Sequence, residues 1–266
     1  MDIKDISWID LSTGFILLLA PLLILWYYKT GLVLKTLLAA GRMTLQLFLV
    51  GLYLTYLFEL NNVWVNIAWV LVMILVNTFT ISDRSELKLR AFAIPVTLGT
   101  LIAIAIVDGF FLGLSLRLEN IFEARYFIAI TGMIMGNTIE RNIIALNSFY
   151  KSLEREKLRY NFALSCGAKK SEALLPFFKD SLKRSFNPQL ARMSIMGIIA
   201  LPGMMTGQIL GGSSPQIAIK YQIMLMLMIF IAGMLTVVIT LNMANRFVFD
   251  KFGNLKTGKV LSEKAG

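Results

Sequence analysis

The chain contains no histidine and a single cysteine, Cys166. A disulfide within the chain is therefore impossible. Metal sites and catalytic triads built on imidazole or paired thiolates have no residues to be made from. Charge is scarce as well: 16% of the 266 residues are Asp, Glu, Lys or Arg, where a soluble domain carries about 25%. No Walker A loop is present, because Lys256-Thr257-Gly258-Lys259 lacks the glycine spacing that cradles phosphate. There is no nucleophile elbow and no acidic metal cluster, so no metal ligand is assigned. The chain is expected not to be an enzyme and to bind no cofactor of its own. A cleavable signal peptide is not expected, since Asp2, Asp5 and Asp10 stand where such a peptide is positive.

What fills the chain instead is apolar surface. Hydrophobic residues make up 57%, more than one soluble core can hide. A bilayer-spanning helix needs about 20 mostly apolar residues. Seven stretches qualify: 11–28, 43–60, 63–81, 91–111, 126–146, 193–210 and 218–241. Asn61-Asn62 joins the second to the third, and Gly211-Gly212-Ser213-Ser214-Pro215 joins the sixth to the seventh, both strong turn signals. The expected fold is all-α: one polytopic permease-like membrane domain over 1–266.

The basic residues sort by side. With seven spans, 21 Lys and Arg fall on one side and 4 on the other, with Arg141 inside a span. Under the positive-inside rule this predicts an outside N-terminus and a cytoplasmic C-terminus, and the expected location is the cell (inner) membrane. The net charge of +10 then reflects cytoplasmic loops rather than nucleic-acid binding, and no nucleic-acid partner is expected.

One loop is long. Residues 147–192 are too polar to span and too periodic to be disordered. They predict one or two cytoplasmic helices, with Leu153, Leu158, Phe162 and Cys166 near a shared face and Leu174, Phe178 and Leu182 continuing it. Such an element either rests on lipid head groups or docks a cytoplasmic partner. Asn161, Phe162, Cys166, Gly167, Ala168 and Glu172 outline a helix, a Gly-Ala turn and a second helix. That shape resembles the coupling loop of ABC-transporter membrane subunits.

Within the spans, Gly203, Gly207 and Gly211 recur every four residues, and Gly132 and Gly136 repeat the spacing. Small-xxx-small stripes let helices approach closely in lipid, within one subunit or between subunits. Pro202 should kink or break the sixth span, and broken helices can offer free carbonyls to cations. Thr206 and Gln208 add side-chain oxygens there. Asn137 and Glu140 lie in the fifth span, where Glu140 either faces a cavity or marks the solvated end. Gln46 and Asn77 are polar at depth and suit interhelix hydrogen bonds. Asp108 reads as interfacial. Met204, Met205, Met224, Met226 and Met228 cluster in the last two spans; thioethers suit Cu(I) better than Fe(II) and also pack adaptably. The candidate translocation path is thus Gln46, Asn137, Glu140, Pro202, Met204, Met205, Thr206 and Gln208.

The string LPGMMTGQILGG at 201–212, followed by Pro215, Ala218, Lys220, Tyr221 and Gln222, carries a family resemblance. Gly132-Met133-Ile134-Met135-Gly136-Asn137, Leu164 to Ala168, and Arg42 with Gln46 and Leu47 extend it over about 42–242. The chain resembles the permease subunit of the FetA–FetB iron-export ABC transporters, the uncharacterised-protein family 0014, whose plant relatives are linked to aluminium tolerance. Ile130 departs from the proline of the family's pattern, which puts the bend in the fifth span in question. The resemblance implies export of iron or another metal by a homodimer, driven by a separate FetA-like ATPase that holds ATP and Mg. A secondary transporter, or an ABC permease for a non-metal substrate, is the alternative.

Overall fold

Local side-chain chemistry starts and stops the helices at the expected turns. Asn61 takes the left-handed conformation (φ 38°) that ends one helix, and the Asn62 side chain accepts from the N–H groups of Trp64 and Val65 to start the next. Ser214 caps the last helix, with Pro215 in its first turn. The computed structural model describes residues 7–250 and 253–256; Lys4 and the Thr257-Gly258-Lys259 string lie outside these. Among the described residues the regular elements are all helices: α1 (Trp8–Leu17), α2 (Leu19–Tyr27), α3 (Val33–Leu60), α4 (Val63–Arg84), α5 (Leu89–Asp108) with a π-helical extension (Gly109–Ser115), α6 (Ala124–Arg155), α7 (Lys157–Ser165), α8 (Lys170–Ile195), α9 (Gly203–Leu210) and α10 (Pro215–Val248).

This is the polytopic all-α architecture that the composition predicts. Among the described residues five helices are long and apolar enough to cross a bilayer: Ile9–Tyr27, taken across the bend at Leu18, then Val33–Leu60, Val63–Arg84, Leu89–Ser115 and Pro215–Val248. The fifth expected stretch lies in α6, whose 32 residues extend about 48 Å. It carries Asn137, Glu140, Arg141 and Asn142, which make it less apolar than the others.

The sixth expected stretch is not one helix. α8 ends at Ile195, Met196 is extended, and Gly197 has φ +83°. Helix resumes only at Gly203, after Pro202. Proline disfavours helical backbone at the residue before it, here Leu201, and supplies no N–H. Residues 196–202 therefore form a non-helical hinge between a long arm and an eight-residue helix.

α4, α5, α6, α8 and α10 pack into the bundle. One core cluster gathers Phe92, Phe149, Tyr150, Tyr160, Phe177 and Leu241; the other gathers Ile74, Phe111, Leu112, Ile134, Leu225 and Met228. Lipid is as apolar as these side chains, so close packing rather than water exclusion holds the spans together. α5 and α10 cross tightest at Gly99, where an added Cβ would lie 2.6 Å from Thr240 Oγ1 and 3.2 Å from Thr236 O. Pro95 interrupts α5 beside that crossing, and its carbonyl accepts from the Thr240 hydroxyl at 3.4 Å. α1 to α3 bury almost none of their apolar surface within the chain, whereas 39–50% of the windows in α4, α5 and α10 is buried. Lipid or another chain must cover the first three helices.

Candidate functional site

α3, α4 and α6 enclose a groove of about 1410 Å³. Its two ends differ in chemistry. Lys35, Arg42, Asp83 and Arg84 line one end, called the basic end below; Gln46, Asn77 and Thr80 line the middle. At the far end the Tyr53 ring packs on Trp69 with centroids 4.5 Å apart. From Arg84 to Trp69, α4 rises about 22 Å, so the groove runs through most of a hydrocarbon core.

Behind the groove, α4 is held to α5 by paired hydroxyls and amides. Asn77 Nδ2 donates to Thr100 Oγ1 at 3.3 Å, and Thr78 shares a 2.9 Å hydrogen bond with Thr97. Both pairs tie α4 to α5, the interhelix role expected for Asn77. Asn77 Oδ1 is buried without a hydrogen-bond partner. An unpartnered buried acceptor costs free energy. Gly132 seats the Met73 methyl, 2.9 Å from where a Cβ would stand, while Gly136 on the same face opens onto the groove with nothing within 4 Å.

The expected path residues do not all converge. Gln46 lines the groove. Asn137 is exposed and donates back to Met133 O at 2.9 Å. Glu140 is exposed and pairs with Arg192 at 3.7 Å. Pro202 closes the hinge, and Met204 packs into the second core cluster. Met205 is half-buried, and Thr206 donates to Pro202 O at 3.2 Å. Gln208 is half-buried with Oε1 unpartnered. These α9 residues stand apart from the groove lining. Among the described residues no three Asp, Glu or Cys side chains stand close enough to hold a metal ion. The polar groups at depth are mostly amides and hydroxyls.

A buried carboxylate and a buried guanidinium lie outside the groove. Asp108, the last residue of α5, is buried: one carboxyl oxygen accepts from Thr131 Oγ1 and the other has no partner. Arg141 is 5% exposed; Nη1 donates to Asn137 O at 2.7 Å and Nη2 to Gln189 Oε1 at 2.6 Å. Gly233 makes room for this guanidinium against α10, since a Cβ there would lie 3.3 Å from Arg141 Nη1.

At the basic end, α6, α7 and α8 form a helix–turn–helix arm. Gly167 turns the chain with φ +87°, a region where a side chain is strained. The Glu172 carboxylate accepts from the Lys169 N–H at 2.8 Å and starts α8. Tyr160 faces inward, and Asn161 and Ala168 are half-buried. Leu158, Phe162 and Cys166 point outward; Leu158 is 88% and Phe162 71% exposed. Leu153, expected on their face, is buried instead.

The arm is tied to the end of α10. Tyr160 Oη donates to Gly253 O at 2.7 Å, and Lys170 Nζ donates to Asn245 O at 3.0 Å while lying 4.0 Å from the Phe249 ring centroid. Burial, and then the Asp250 charge, push the Tyr160 phenol upward. Burial pulls the Lys170 ammonium down, partly offset by Asp250.

Tyr53, Trp69 and Thr100 were not singled out from the sequence. The signal was present for Tyr53, which lies seven residues after Gln46 and therefore on the same helix face.

The sequence matches the family model described as "Uncharacterised protein family (UPF0014)" over residues 8–249. The UPF0014 membrane protein slr1647 of Synechocystis is 26% identical over 253 residues, covering 94% of this chain and 97% of that one. The "Probable iron export permease protein FetB" of Escherichia coli is 28% identical over 268 residues, 99% and 98% of the two chains. "Protein ALUMINUM SENSITIVE 3" of Arabidopsis thaliana is 31% identical, covering 71% of this chain and 67% of its own. No solved structure matches.

Proposed function

The chain belongs to the UPF0014 family of membrane proteins, and we propose that it is the permease subunit of an ABC exporter that moves iron, or another metal, out of the cytoplasm. Two copies work with two separate FetA-like ATPase subunits, which hold the ATP and Mg. The basic end faces the cytoplasm, and the protein resides in the cell membrane. Export of iron rests on the name of the E. coli relative that matches almost end to end.

The observation that carries the coupling is the arm at 157–195. It presents Leu158 and Phe162 outward beside the glycine turn at Gly167, as a rigid knob for a partner's groove. Asn161, Phe162, Cys166, Gly167, Ala168 and Glu172 form or support that knob. When the ATPases close, α8 moves as a lever whose far end is the hinge at 196–202. Cargo enters from the basic end of the α3–α4–α6 groove and meets Gln46 and Asn77. The Tyr53–Trp69 contact closes the far side until the helices reorient. Amide and hydroxyl oxygens suit weak, transient cation contacts rather than tight binding.

The test is co-purification with the cognate ATPase, followed by ATP turnover and metal movement in liposomes with and without Fe(II). Turnover unchanged by the permease together with static metal would sink the assignment. A relative whose name concerns aluminium favours a second cargo reading. Al(III) is therefore run beside Fe(II), and movement of Al(III) alone would replace iron as the cargo.

A further inference from the structure

We infer that two copies of this chain meet inside the bilayer through the hinge at 196–202 and the glycine face of α9. The inference rests on reading the chain as a permease driven by paired ATPases. It adds which surface the copies share.

The first observation is backbone chemistry at membrane depth. α10 begins immediately after the turn at 211–214, and α9 folds back from that turn for eight residues, about 12 Å. The hinge therefore lies near the middle of a hydrocarbon core about 30 Å thick. Ile198 and Ile199 N–H fold back on Ile195 O, and Gly197 N–H donates to Ala200 O. Among the described residues no backbone N–H reaches the carbonyls of Ile198, Ile199 or Leu201. In hydrocarbon such groups cost several kcal/mol each, so irregular backbone persists only where protein or a water-filled path covers it.

The second observation is that this chain does not supply the cover. Ile198 is 85% and Ile199 79% exposed, and Leu201 is exposed beside them. A Cβ built at Gly203 or Gly207 would meet nothing within 4 Å. The smooth stripe expected from their spacing is thus unused within the chain, although α9 already packs on α10 by another face.

The occupant follows from charge and stoichiometry. No charged residue occurs between Arg192 and Lys220. A two-fold contact sets a surface patch against its own copy, so a patch of one charge sign would repel itself and a neutral one does not. Small residues at four-residue spacing let two such helices approach backbone to backbone. Each chain also carries one docking arm, while paired ATPases need two. A second copy supplies the other arm and covers both hinges with the same surface.

Cysteine crosslinking tests this directly. In a Cys166→Ser background, Ile199→Cys is oxidised in membranes of cells that co-express the cognate ATPase and two differently tagged copies of the chain. The expected product is a disulfide-linked pair carrying both tags, at twice 29.8 kDa. Leu75→Cys, on an exposed face of α4, should stay monomeric. Adding Gly207→Trp should cut the Ile199→Cys pair at least tenfold, with helical circular dichroism unchanged. A monomer at Ile199→Cys, a crosslink to a different protein, equal pairing at Leu75→Cys, or no effect of Gly207→Trp would each overturn the contact. The readout needs no transport. A pair that crosslinks in membranes, in a protein that moves no metal when kept reduced, removes the export assignment and leaves the contact standing; transport by the reduced protein without a pair on oxidation removes the contact alone.

Discussion

Gln189 Oε1 accepts a 2.6 Å hydrogen bond from Arg141 Nη2, joining the arm helix α8 to α6 at a point where both side chains are buried. Gln189 directly follows Pro188, which removes a backbone donor from α8. The bond therefore holds α8 at one of the two places where a proline interrupts its hydrogen-bond ladder. Replacing Gln189 by Leu strands a buried guanidinium donor, which costs about 1–3 kcal/mol. Thermal unfolding in detergent should fall by several degrees for Gln189→Leu. The double variant Arg141→Met with Gln189→Leu should recover most of that loss, because no charge is then left unpaired.

The α5–α10 crossing admits no side chain at position 99. Gly99→Ala puts a methyl 2.6 Å from Thr240 Oγ1 and 3.2 Å from Thr236 O. Overpacking of this kind costs about 1–3 kcal/mol. Thr240→Ala should rescue Gly99→Ala only in part, since the Thr236 carbonyl is backbone and cannot retreat. A double-mutant cycle on thermal stability measures the coupling.

Gly136 gives a way to plug the groove without touching the fold. Nothing lies within 4 Å of a Cβ built there, and the position lines the groove. Gly136→Trp should abolish metal movement in liposomes while melting temperature and ATPase association stay at wild-type values. Normal transport by this variant would place the cargo path elsewhere.

The arm's turn and its outward side chains separate in their effects. Gly167→Val forces a branched side chain into φ +87° and strains the turn by about 1–2 kcal/mol. Phe162→Glu leaves the fold alone, since the ring is 71% exposed. Both should weaken capture of the cognate ATPase at least tenfold in a pull-down, and only Gly167→Val should lower thermal stability.

The Tyr160–Gly253 clasp is pH dependent. The folded protein raises the phenol above its ordinary value of 10.0, by burial and then by the Asp250 charge. The neutral phenol is thus favoured by folding: its contribution is complete below pH 10 and is lost as pH rises through the folded value. Proteolysis after residue 249 should accelerate above pH 10 in the wild type. Tyr160→Phe, which lacks the 2.7 Å bond to Gly253 O, should be cut faster at neutral pH and show no such alkaline step.

Much of the architecture was legible because its signals are local. Hydropathy over about twenty residues marks the spans, and Asn61-Asn62 and Ser214-Pro215 stop and start helices by chemistry within four residues. Pro202 announced the break, although not that α8 would stop at Ile195. Phase was lost between helices: Glu156, at φ −103° and ψ 29°, separates α6 from α7. The helical period therefore does not carry from Leu153 to Leu158, and one turns inward while the other faces out.

Composition and local pattern by themselves determined that this is an all-α chain of the bilayer, with a basic end and a helix–turn–helix arm, because apolarity, charge and turn chemistry belong to single residues and near neighbours. Only the tertiary structure decided that Gln46 and Asn77 share a groove with the Tyr53–Trp69 ring pair, that Asp108 is buried against Thr131, and that Gly203 and Gly207 pack on nothing in their own chain. Those are relations between residues on different helices. They are set by which faces meet when helices pack, and no hydropathy window or four-residue spacing contains that information.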